Sequence, residues 1–248
     1  IEALRRISLF TDLPQETLSA YEDRILGGCT QEGRERILIA MMKVNFLKRL
    51  ESSVDSFRLT LQRTIEKIDR LEERIVAFEE HLNSDPDIDY DTLTPDQFED
   101  PDFEGEDFTI GGRRRIHLGH LQLPEWLKAV RNDRTQLQFL LEKTNAVTPE
   151  RDGKLAELRA LVTSKVSNPT VTRDGKQNRK VLVFTAFADT ARYLHTHLAP
   201  WARDELNVHT GLVCGDGGNA ASLGRTDYDE ILTNFAPVAQ RRGDQTAR

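Results

Sequence analysis

Only a few residues of this chain combine a reactive or charged side chain with an informative position. Thr185 and Phe187 follow directly on the apolar run Val181–Phe184. That is the carboxyl edge of an expected strand, where open α/β sheets bind ligands. Asp189 comes two residues later and reads as a first-turn helix carboxylate, favoured by the helix dipole. Gly215, Asp216 and Gly217 lie in the turn CGDGGN. The hexapeptide GDGGNA matches GxGxxA, but it falls after the second expected strand and no apolar helix starts directly behind it. It therefore reads as a glycine-rich turn, not a dinucleotide cradle. Lys48 and Arg49 are adjacent cations near the start of a long helix whose later charges alternate in sign. Phosphate contacts from such a pair would be independent of base sequence and sensitive to salt.

Other chemistries find no support in the residue pattern. A phosphate loop needs GxxxxGK[ST], so that backbone amides, a lysine and a metal-binding hydroxyl surround the phosphates; no such match occurs. Without it the chain is expected not to hydrolyse ATP alone. His117 and His120, like His195 and His197, lack the cysteines or the HExxH spacing of a zinc site and are expected at the surface or in loops. FTAFAD contains no glycine, which argues against a small Rossmann-like enzyme. Cys29 and Cys214 form no CxxC pair and suit a reducing, cytoplasmic setting.

These residues must be held by two different kinds of structure. From about Glu32 to Leu82 the apolar positions Leu47, Leu50, Val54, Phe57, Leu61 and Ile68 begin a three-four alternation that continues through Leu71, Ile75, Phe78 and Leu82. No Pro or Gly interrupts Arg34–Ser84, so one helix of about 50 residues and about 75 Å is expected, a projecting arm. A second pattern after Pro124 (Leu127, Val130, Leu137, Leu141) predicts an antiparallel return along that arm. A third helix after Pro149 places Leu155, Leu158 and Leu161 on one face. Trp126 and Trp201 sit within these apolar patterns as packing residues. Between Ile75 and Gly112 stand thirteen Asp or Glu and no Lys or Arg. Three prolines there make an acidic loop of about residues 83–112, and Arg113–Arg115 end it with cations that could pair with it. Without this segment the rest of the chain is net basic, which keeps nucleic acid among the possible partners.

Ser167–Arg179 is rich in turn formers and marks a linker at residues 167–179 between a helical region, 1–166, and a final segment, 180–248. In the latter the period changes. A buried parallel strand at about Lys180–Phe184, a helix at about Asp189–Trp201 and a strand at about Asn207–Cys214 form a βαβ start, followed by a short helix near Tyr228–Phe235. The fold class expected is mixed α and α/β: a long antiparallel helical arm followed by an incomplete parallel α/β lobe. The longest apolar run, Ile37–Met42, is too short to span a bilayer, so no membrane partner is expected. The chain opens on Ile1 without an initiator Met and is expected to be a fragment.

Several segments share a resemblance. KVLVFTAFADTARYL resembles the opening of the second RecA-like lobe of superfamily 2 helicases, specifically SNF2/HepA-like ATPases. TGLVCGDGG resembles the strand and glycine turn that follow, and YDEILTNFAP the next helix. Upstream, VNFLKRLESSVDSFRLTLQRTIEKI is similar to the KRLESS helix between the lobes, and ERDGKLAEL to the helix leading into lobe two. The resemblance covers Met42–Ile68 and Glu150–Pro237. It implies that the α/β part is an incomplete RecA-like lobe, that the partners are duplex DNA and a missing N-terminal RecA-like lobe, and that the parent protein uses ATP and Mg²⁺ while this fragment holds no cofactor. It implies further that Thr185 and the Gly215–Gly217 turn lie along the nucleic-acid path, with Lys48 and Arg49 as auxiliary cations. The DExx carboxylates and the QRxGRxxR arginine finger of that family are absent; Gln240–Arg242 reads only QRR. A different reading is a coiled-coil interaction module with a small α/β cap, in which the heptads of 47–82 pair between chains.

Overall fold

The computed structural model describes residue 17 and residues 31–84, 109–110 and 116–237. Residues 1–30 apart from residue 17, residues 85–108 of the acidic segment, Arg113–Arg115 and Gln240–Arg242 lie outside the described residues. The described chain is mostly helical, with α1 (Gln31–Ser52), α2 (Val54–Ser84), α3 (Leu123–Asn145), α4 (Gly153–Ser167), α5 (Ala188–Leu206) and α6 (Tyr228–Phe235). Three antiparallel strand pairs accompany them: β1 (Thr109–Ile110) with β2 (Ile116–His117), β3 (Thr170–Val171) with β4 (Gln177–Asn178), and β5 (Gly211–Leu212) with β6 (Ala220–Ala221). Mixed α and β is therefore the class. The chain divides into two compact units, Ile1–Asn45 with Leu61–Leu141 and Phe46–Thr60 with Glu142–Arg248. The expected linker, residues 167–179, falls inside the second.

In the first unit, α3 returns antiparallel along α2. Ile75 and Phe78 pack with Leu118, Leu121, Leu123 and Leu127 in one buried cluster, and Leu71, Leu82, Ile116 and Trp126 flank it. The same register carries ion pairs: Arg131 Nε to Glu72 at 2.7 Å and Arg134 Nε to Asp69 at 2.8 Å. These pairs are at least partly exposed and add specificity more than stability. A shallow groove of about 550 Å³ beside them is lined by Asp69, Glu72, Glu73, Val76, Ala77 and Glu80, together with Arg134. His117 and His120 correct an expectation. They are buried, with ring centroids 5.6 Å apart and the His117 ring edge-on to Phe78 at 5.7 Å. Burial of His117 is tolerated because the backbone N–H of Gly119 donates to its Nδ1 at 3.1 Å.

The second unit contains a break in the long helix. Ser53 interrupts it, and its hydroxyl accepts from the backbone N–H groups of Asp55 (3.1 Å) and Ser56 (3.4 Å), capping α2. Phe46 and Phe57 meet edge to face across the break at 6.1 Å. The signal was present as a Ser-Ser pair followed by an acidic residue, a helix-start pattern that a continuous apolar period obscures. Asp152 caps α4 by accepting from the Lys154 and Leu155 amides, and its other oxygen accepts from Tyr193 Oη at 2.8 Å, tying α5 to α4. Partial burial, and after it that bond, raises the Tyr193 pKa well above the ordinary phenol range. Asp152→Ala should cost about 1–2 kcal/mol by removing both the cap and the tyrosine acceptor. Urea unfolding followed by Trp201 fluorescence in a Trp126→Phe background measures it, and a loss below about 0.5 kcal/mol would mean neither bond counts. Along α4, Leu155 is buried but Leu161 is 59% exposed, so the buried face runs through Leu155 and Val166 instead of the expected Leu155–Leu161 line. On the other side of α5, α6 lies tight against β5, where a Cβ at Gly211 would stand 2.8 Å from the Ile231 side chain.

The run Val181–Phe184 departs most from expectation. It is not part of any strand pair among the described residues, and Leu182 and Phe184 are 63% and 86% exposed. Nor does Asn207–Cys214 supply a parallel neighbour, since Gly211–Leu212 pairs antiparallel with Ala220–Ala221. A parallel strand is stable only with partners on its edges and helices on its faces. A continuous apolar run records a demand for burial without supplying the elements that meet it.

Candidate nucleic-acid interface

The residues singled out from sequence converge in the second unit. The last turn of α1 places Arg49 and Ser52 three residues apart on one helix face. After the extended run, Thr185 precedes the start of α5, whose first turn carries Asp189 and Thr190. The two pieces are in direct contact. Ser52 Oγ lies 2.9 Å from Thr190 Oγ1 and 3.3 Å from Thr185 Oγ1. Arg49 Nη1 donates to Asp189 Oδ2 at 2.9 Å and to Ser56 Oγ at 3.3 Å, and its guanidinium sits 4.7 Å from the centre of the Phe187 ring. Lys154 Nζ donates to the Glu51 carbonyl, bringing α4 to the same corner. Ser56 is fully buried and Thr190 nearly so.

This geometry sets the two adjacent cations apart. Arg49 is turned inward and shares its charge with Asp189 and Phe187, so it braces the corner. Lys48 is exposed and meets no partner among the described residues, which leaves it the accessible cation of the pair. Thr185 Oγ1 accepts from the Phe187 N–H at 3.4 Å, a local bond that helps start α5 in place of a capping side chain at Phe187. Asp189 is more than a dipole partner, since it also faces Arg192 at 3.6 Å.

Arg192 extends the network to the glycine turn by pairing with Asp216. The turn is braced from within: the Gly217 N–H donates to the Cys214 carbonyl at 3.1 Å, and the Cys214 N–H donates to Asn219 Oδ1 at 3.0 Å. Gly217 adopts φ +83°, a conformation that an L side chain would strain. The Arg192 guanidinium, and after it the Gly218 N–H, hold the Asp216 carboxyl below its ordinary range, and Asp216 in turn raises Arg192. Arg49 and the Gly215–Gly217 turn thus belong to one polar chain running through Asp189 and Arg192, while Thr185 joins α1 separately through Ser52. Sequence reasoning passed over Ser52, Thr190 and Arg192. The i,i+3 spacing of Asp189 and Arg192 was the available sign.

The arrangement offers hydroxyls, cations and backbone amides, which are groups for holding an anionic backbone. Among the described residues no cluster of three or more His, Cys, Asp or Glu could hold a metal ion, and no helix is long and apolar enough to cross a membrane. Compared with protein-family models, curated proteins and solved structures, the chain finds no match.

Proposed function

We propose that this chain supplies the inter-lobe helical arm and part of the lobe-two DNA track of a SNF2-like, ATP-dependent DNA translocase. The observation that carries the reading is the contact between α1 and α5. Two segments that separately resemble the same family, LKRLESS and VFTAFADT, lie more than 130 residues apart and are joined by Ser52–Thr185, Ser52–Thr190 and Arg49–Asp189. In the parent protein ATP and Mg²⁺ would be bound by parts outside this segment, and the chain alone turns over no ATP. It acts in a cytoplasmic setting through duplex DNA and an N-terminal RecA-like lobe.

Fluorescence anisotropy with a labelled duplex tests this directly. Binding should be independent of base sequence, with a dissociation constant on the order of 10⁻⁴–10⁻⁶ M and a steep salt dependence. Lys48→Glu should weaken it about tenfold, by replacing an attractive phosphate contact with a repulsive one. No anisotropy change at low salt would sink the proposal. The coiled-coil module makes a competing demand, since Leu61, Ile75 and Phe78, which it would pair between chains, are buried within this one.

A further inference from the structure

We propose that Arg192 and the backbone amide of Gly218 form a seat for one phosphodiester of nucleic acid, and that the Asp216 carboxylate occupies this seat as an internal stand-in. The ligand class rests on the DNA-binding reading above; the seat itself rests on geometry. Asp216 divides its two oxygens, Oδ2 toward the Arg192 guanidinium and Oδ1 toward the Gly218 N–H at 3.3 Å. A guanidinium and a turn amide holding the two oxygens of one anion is the donor set that a phosphodiester takes.

The seat is also built to exchange its occupant. Arg192 and Asp216 are 40% and 53% exposed, so an anion from solvent can reach them, whereas Asp189 is only 10% exposed and already bound to Arg49. Asp189 therefore anchors Arg192 at 3.6 Å while Asp216 is free to swing away. The approach is open: nothing stands within 4 Å of where a side chain would project from Gly215 or Gly217. At Gly218 the guanidinium lies against the backbone, with Nη2 3.1 Å from the position of a Cβ. In this arrangement DNA gains a phosphate contact only by displacing a like charge, so the turn holds DNA weakly until Asp216 leaves.

The test compares the whole 248-residue chain with Asp216→Asn, Arg192→Gln and the double variant, using a labelled duplex and a potassium chloride titration. Asp216→Asn should tighten binding about threefold to tenfold by removing the competing charge. Arg192→Gln should weaken it and lower the slope of log K against log salt by about one. The double variant should match Arg192→Gln, because the gain from Asp216→Asn exists only while Arg192 is present. Both side chains are solvent-exposed, and unchanged tryptophan fluorescence verifies folding. If wild type binds DNA and both single variants stay within about twofold of it, the seat is overturned and the DNA reading survives. If none of the four proteins binds DNA, both are overturned. Inorganic phosphate provides a separate arm, read by the Arg192 Nε–H resonance. A response to phosphate with none to duplex DNA would overturn the nucleic-acid assignment.

Discussion

Replacing Phe78 by alanine is expected to cost the first unit about 3–5 kcal/mol, the range for deleting a fully buried aromatic ring from a packed core. The ring sits among Ile75, Leu118, Leu121 and Leu127 and meets the edge of His117, so its removal leaves a cavity bounded by two elements and a buried imidazole. Collapse into that space is limited, because α2 and α3 are also pinned by Arg131–Glu72 and Arg134–Asp69. The chain has only two tryptophans, and Trp126 packs against this cluster. Urea unfolding of a Trp201→Phe background therefore reports on the first unit. Phe78→Leu should recover most of the loss, since it keeps an apolar side chain in the space. A cost below about 1 kcal/mol for Phe78→Ala would mean that the cluster is not the core of this unit.

Asp189→Ala should have the next largest effect, about 2–3 kcal/mol, read by Trp201 in a Trp126→Phe background. The carboxylate is 10% exposed and its partner Arg49 is 20% exposed, so little water is at hand to replace the lost bond. The guanidinium would be left over Phe187 with only Ser56 as acceptor at this corner, and Arg192 would lose its inner anchor. Arg49→Ala alone should cost less, because the remaining Asp189 keeps Arg192 as a counter-charge. If the double variant cost the sum of the two singles, Arg49 and Asp189 would not be coupled, and the corner would be held by its hydroxyls alone.

The helical half of the fold was largely readable from the sequence, because burial there is set by spacing along one chain segment. Leu61, Ile75, Phe78 and Leu127 fall where the three-four alternation puts them, and the antiparallel return follows from two seams that need each other. The interruption at Ser53 was not readable from periodicity, since a cap depends on one hydroxyl reaching two amides. Val181–Phe184 shows the opposite limit. Its composition states that the run favours burial, but the covering elements must come from elsewhere, and local sequence says nothing of whether they are there. At the candidate site the sequence does not distinguish one cation from the next. Lys48 and Arg49 are neighbours of the same sign, and only the contact with Asp189 separates the exposed cation from the inward one. His117 was misplaced for a similar reason, since the Gly119 amide and the Phe78 ring that make its burial tolerable are not marked by any spacing.

The cap at Ser53 has a thermodynamic consequence. The short stretch from Arg49 to Ser56 starts α2, supplies Ser52 to Thr185 and Thr190, and supplies Arg49 to Asp189. Local fraying of that stretch therefore cannot release one of these without loosening the others. The start of α2 and the anchor of α5 open as a single cooperative unit, so amide protons on both sides of the contact exchange with solvent at one shared free energy.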